Sequence, residues 1–217
     1  MSRIISYSTA DKADVLGFLG AVDKLTSNQQ RLLGIMREQA QKSQRELERQ
    51  GIDLGLSVPD ALDHLLAGHA NSNAEYAASA YYRAFQHIID CNASDPSELG
   101  VYSKPATFFS LLDEELRRLG VSPGLLLHDH LFSGPPDDVP FHIPHPVDGP
   151  HIGMFPLASA KPAADAYRAV LDRMDESFRY DVQELIEKLD FEHTEWEYAT
   201  KNVDWYTQDT IFFSITG

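Results

Sequence analysis

The sequence predicts an α+β fold, a mostly helical single domain carrying a small sheet. Three observations predict it. Apolar residues recur at i, i+3 and i+4 through most of the chain, the signature of amphipathic helices. Strand-like alternation is confined to the two ends and to one proline-rich stretch. No βαβ alternation of a doubly wound sheet is visible, and no internal repeat of roughly 20–50 residues.

Ile4, Ile5 and Tyr7 read as an opening strand. Ser8-Thr9-Ala10-Asp11 then offers a helix cap, followed by Val15, Leu16, Leu19 and Val22 at helical spacing. Ser27 with Gln30 predicts a capping box before Leu32, Leu33, Ile35, Met36 and Ala40. The polar tail behind them reaches Gln50 and should project into solvent, with Gly51 as its stop. Pro59 opens a short helix bearing Leu62, Leu65 and Leu66, closed by Gly68. Ser72 and Glu75 read as another capping box, ahead of Ala77, Ala80, Tyr81, Ala84, Phe85 and Ile88. A polar loop is expected from Asn92 to Ser97. Pro105 then starts a helix with Phe108, Leu112, Leu116 and Leu119, stopped at Gly120.

Eight of the twelve prolines fall within 121–156, so this stretch is expected to be a Pro/His-rich loop insertion within a single domain spanning 1–217. Val139, Phe141 and Ile143 alternate there, as do Ile152 and Met154, which predicts edge strands. Ser159 should cap a helix carrying Ala163, Ala166, Tyr167, Val170, Leu171 and Met174. Ser177 should begin another, with Phe178, Val182, Leu185, Ile186 and Leu189, and a last amphipathic fragment surrounds Trp196. Ile211, Phe213 and Ile215 alternate as a closing half-buried strand.

Composition narrows the function. Hydrophobic residues at 43% and charged ones at 24% are ordinary for a globular chain, which excludes long-range disorder. No apolar run approaches the ~18 residues a bilayer span needs, so no membrane is expected. The first seven residues carry no apolar signal core, and the single cysteine, Cys91, cannot form an internal disulfide; both favour a cytoplasmic location. The net charge of −15 repels phosphate backbones, so nucleic acid is not an expected partner. Twelve acidic residues against four basic ones lie in 172–209, concentrating that charge near the C-terminus.

Five of nine histidines, His128, His130, His142, His145 and His151, fall among Asp129, Asp137, Asp138 and Asp148. Imidazole and carboxylate together suit zinc or another divalent transition metal. Their spacings fit no metal signature, and a helix there would send His128 and His130 to diverging directions. No structural metal is therefore expected. The chain has no G-x-S-x-G elbow, P-loop or G-x-G-x-x-G. His87 and Cys91, four residues apart, could pair on one helical face as a nucleophile, although a lone cysteine is more often a buried apolar group. Asp204, Trp205 and Tyr206 could line a pocket before the closing strand.

The segment Pro59-Asp60-Ala61-Leu62-Asp63-His64-Leu65-Leu66-Ala67-Gly68 and the helix Ala166-Tyr167-Arg168-Ala169-Val170-Leu171 carry a resemblance. They are similar to stretches of the YfbM-like family, whose members carry W-x-x-L-H-x-x-L-T-G and a β-strand closing the chain. Pro59 and Asp63 stand where that family has its Trp and His. The resemblance implies one α+β domain with no established activity, and it carries over no catalytic residue.

Two function classes follow. The first is a non-enzymatic cytoplasmic interaction module of the antitoxin or immunity type, needing no cofactor. It would engage a basic protein through Glu184, Glu187, Glu192, Glu195 and Glu197, with Trp196 as an aromatic anchor inside the charged rim. The alternative is a metal-dependent hydrolase or related enzyme built on the histidine-rich loop at 128–151.

Overall fold

The computed structural model describes residues 2–147 and 150–217. A four-stranded antiparallel sheet separates two helical layers. Strand β1 (Arg3–Ala10) opens the chain, and β2 (Ser97–Tyr102) pairs along its outer edge. Strand β4 (Thr210–Thr216) lies between β1 and β3 (His151–Pro156), giving the order β2-β1-β4-β3. Register is fixed by burial on both faces, because a one-residue slip would exchange them. Ile5 and Tyr7 face one way with Ile211, Phe213, Ile215 and Phe155. Ala10, Ile152 and Phe212 face the other.

Helices α1 (Lys12–Leu16), α2 (Ser27–Arg49), α3 (Val58–Ala67) and α4 (Ala77–Asn92) cover the second face. Helices α5 (Pro105–Arg118), α6 (Leu127–Leu131), α7 (Leu157–Arg168) and α8 (Glu176–Asn202) cover the first. Chain order therefore maps onto layers. The helices of the first half of the chain build one and those of the second half the other.

Several starts differ from the expected ones. Asp11 caps α1 by accepting from Ala13 and Asp14, while Ser8, Thr9 and Ala10 belong to β1. Thr26 with Gln29 forms the capping box of α2, one residue ahead of Ser27 and Gln30. Ser72 accepts from Ala74 and caps no helix; α4 begins at Ala77 without a side-chain cap. Helix α7 starts at Leu157, directly behind β3, because the Leu157 N–H finds the Asp209 carbonyl at 2.8 Å. The polar end of α2 is also anchored: Leu47 is buried, and Gln44 accepts from the Val58 N–H at 3.0 Å.

The proline-rich stretch holds more order than a loop. A 3₁₀ turn at Pro123–Leu125, α6 and β3 all lie in it. Val139, Phe141 and Ile143 form no strand, since Pro140 among them and Pro144 directly after them can donate no ladder hydrogen bond. Their side chains pack against the second-face core instead. Strand β2 starts at Ser97, the last residue of the expected polar loop, and runs on through 98–102, where no element is predicted. Ser177 and the fragment around Trp196 belong to a single 27-residue helix, α8, capped by Asp175.

Helix α6 and strand β3 approach each other closely. A Cβ on Gly153 would stand 2.1 Å from the His130 carbonyl oxygen, so only glycine lets α6 lie against β3 there. The buried Asp113 carboxylate accepts from the Leu127 N–H at 3.2 Å and the His128 N–H at 3.0 Å, holding the start of α6 from α5. The Tyr167 hydroxyl donates to the Leu125 carbonyl and ties α7 to the same corner.

Candidate functional site

The continuity of α8 decides what the acidic segment presents. At ~100° per residue, its buried positions Val182, Leu185, Ile186 and Leu189 fix the inward face. Trp196 falls on that face. Its indole N–H donates to the Gln208 carbonyl at 3.1 Å and its ring packs on the first-face core, so it pins α8 to the approach of β4. It is thus not available as an outward anchor. Three other aromatics point away from the core: Tyr180, Phe191 and Tyr198 are 75%, 58% and 64% exposed. They are eleven and seven residues apart, which brings all three within ~20° of one line and spreads them over about 27 Å.

The predicted acidic residues divide. Glu187, Glu195 and Glu197 are exposed beside this line, and Glu197 is paired with Lys201 at 2.7 Å. Glu184 is half-buried. Glu192 turns inward, where burial raises its carboxyl above the ordinary range and the Tyr7 hydroxyl donates to it. Glu192 therefore leaves the outward set and Tyr180, Phe191 and Tyr198 enter it. The sequence carried a signal for them, the 7- and 11-residue spacing, but it can be phased only once α8 is known to run unbroken.

The five loop histidines do not converge. His128 lies against Asp129 at 3.1 Å and stacks on Phe132. His130, on the next-but-one position of the α6 helix, donates its Nδ1 proton to the Met154 carbonyl at 3.1 Å and meets Phe155 edge-on. His145 contacts the Tyr82 hydroxyl at 2.6 Å, His151 packs on Phe132, and His142 is exposed. Asp148 lies outside the described residues. Among the described residues no three His, Cys, Asp or Glu come together to hold a metal ion.

Cys91 is no thiolate at neutral pH. Burial, with Asp90 beside it, pushes the thiol up to about 11, and its hydrogen goes to Gln39 Oε1 at 3.6 Å and not to His87. Trp205 is 82% exposed in the turn before β4, and Tyr206 donates to Gln208, so Asp204, Trp205 and Tyr206 do not close around a common space.

Against that geometry stand the comparisons with known proteins. A family model described as a domain of unknown function (DUF7691) matches residues 1–214, and the chain belongs to that family. No curated protein and no solved structure matches the chain. Among the described residues no helix is long and apolar enough to cross a membrane.

Proposed function

We propose that this chain is a non-enzymatic cytoplasmic interaction module, of the antitoxin or immunity type, that receives a basic protein on the outer face of α8. The observation that carries this reading is the exposed line Tyr180, Phe191 and Tyr198, opposite the core and flanked by Glu187 and Glu195. Aromatic side chains bury large area at small cost in conformational freedom, which makes them typical binding anchors. The surrounding acids speed capture of a cationic surface and exclude acidic competitors. Kinship with the YfbM-like family, through α3 and the end of α7, belongs to the same reading and agrees with a domain lacking a catalytic signature.

The test begins with a photo-crosslinking residue at position 198 of the full chain in its native cells, followed by purification of the protein it captures. A basic partner is expected, with an association rate that falls as salt rises. Glu187→Lys with Glu195→Lys should slow association about tenfold, and Phe191→Ser should speed dissociation. Capture of an acidic partner, or an association rate unmoved by the charge reversals at low salt, would overturn the reading.

A further inference from the structure

A second surface carries the opposite sign. An open cleft of about 1040 Å³ runs between the C-terminal half of α2 and the face of α4, with Thr216 and Gly217 at one end. Two stripes of side chains meet across it. Lys42, Arg45 and Arg49 recur at intervals of three and four on α2, and Arg83 and His87 at four on α4, so each set follows one helical face. Glu46 and Asp90 are the acids of this lining, leaving four permanent cations against two carboxylates. In a chain of net charge −15, this reversal requires that basic residues be gathered here.

The second observation is that the floor of the cleft is unsatisfied. Arg83 Nε and both ring nitrogens of His87 are buried and find no partner among the described residues. Buried polar groups are nearly always paired, so three bare ones on adjacent turns call for an explanation. Glu46 is engaged by Arg49 and Gln50, and Asp90 accepts from Gln86 at 2.7 Å, so neither neutralises Arg83. Burial lowers the guanidinium of Arg83 below its ordinary value and, with Arg83 nearby, pushes His87 down to about 4. A neutral imidazole beside an uncompensated guanidinium offers one donor, one acceptor and a planar fork of N–H groups.

We propose that this cleft binds a small organic phosphate, a phosphate monoester whose dianion meets the Nη end of the Arg83 fork, the closed-off Arg83 Nε and His87 ring nitrogens being uncovered as it enters. The surplus of two positive charges matches a dianion and exceeds what one carboxylate neutralises. The fork of Arg83 fits phosphate oxygens bidentately, and Lys42 and Arg45 at the rim supply the attracting field. The volume is far larger than an inorganic ion needs and lies just above the ~300–1,000 Å³ of most small-molecule pockets. The half-exposed Ile52 and the buried Leu47 give the carbon part of the ester an apolar wall.

The test is calorimetric titration of the full chain at pH 7 and low salt with adenosine 5′-monophosphate, glucose 6-phosphate, glycerol 3-phosphate, inorganic phosphate and succinate. At least one of the three esters should bind more tightly than inorganic phosphate, and succinate should bind at least tenfold more weakly than that ester. Arg83→Met should weaken the ester at least tenfold, and His87→Gln several-fold, with melting temperatures recorded alongside. If Arg83→Met does not fold, the exposed pair Lys42→Ser with Arg45→Ser takes its place, with a fivefold loss expected. Silence from all four phosphates up to 10 mM, succinate binding as tightly as the best ester, or affinity unchanged in the folded variants would overturn the proposal.

Discussion

The α6–β3 junction and the α2–α4 cleft both bring charged side chains into the interior of one molecule, and they treat them differently. At the junction, the Asp113 carboxylate receives two backbone N–H groups, the His130 ring receives a carbonyl, and Gly153 removes the last obstacle to contact. In the cleft, Arg83 Nε and the His87 ring nitrogens receive nothing from the described residues, and a large volume stands open beside them. A polar group with its partners in place serves the fold. One that is held half-buried without partners lowers stability, and selection retains it only for something the fold does not need. The contrast separates residues that build this protein from those available to act.

Three experiments press on that contrast. The largest effect belongs to Gly153→Val, which drives a side chain into the His130 and Leu131 carbonyls. Backbone cannot yield as a flexible side chain can, so a loss of more than about 4 kcal/mol is expected, a large share of the stability of any domain. Soluble yield and urea midpoints report it, and a melting temperature equal to the parent's would show that the junction is looser than its geometry.

Next comes the pH dependence of the cleft. His87 is held neutral, its value pushed down to about 4 from an ordinary 6.5. Its contribution is complete above pH 6.5 and is lost as pH falls toward 4, because the unfolded chain then binds a proton that the folded one resists. Without ligand, the parent should lose up to about 3 kcal/mol relative to His87→Gln between pH 7 and pH 4. Parallel unfolding curves at the two pH values measure it; a difference that stays constant would mean His87 is satisfied after all.

The smallest effect compares two aspartates. Asp113→Ala strands the Leu127 and His128 N–H groups and should cost about 2 kcal/mol. Asp90→Ala, at the exposed lip of the cleft, should change stability by less than about 0.5 kcal/mol. Chemical denaturation of the pair decides it, and equal losses would erase the distinction between junction and cleft.

The same contrast explains what could be read from the residues in order. Helical faces were legible where apolar spacing was regular, as in α4 and the first half of α8, and β4 was legible from Ile211, Phe213 and Ile215. Strand β2 was not. It is an edge strand of Ser97-Glu98-Leu99-Gly100-Val101-Tyr102 with Leu99 its buried residue, so it lacks the sustained alternation that marks a strand with a buried face. The acidic character of α8 can be counted, but its outward line separates from Trp196 only once the helix is known to run unbroken from Glu176 to Asn202. The cleft was the least visible. Lys42, Arg45 and Arg49 read as a solvated polar tail, and nothing local says that Arg83 and His87, some forty residues on, lie across from them. Chemistry that depends on two helices facing each other is written in tertiary structure alone.

The central place of β4 bears on how the protein is made. Tyr7 pairs with Phe213, and β3 reaches β1 only through β4, so the sheet cannot close while a ribosome still holds residues 210–216. Strands β1 and β2 can pair earlier, as can the helices that cover their second face. The edge of β1 that awaits β4 is left open through the synthesis of some two hundred residues, and unpaired edges of this kind recruit other chains. Contacts so distant in sequence also slow folding. Nascent chains stalled before residue 210 are the species on which a chaperone would act.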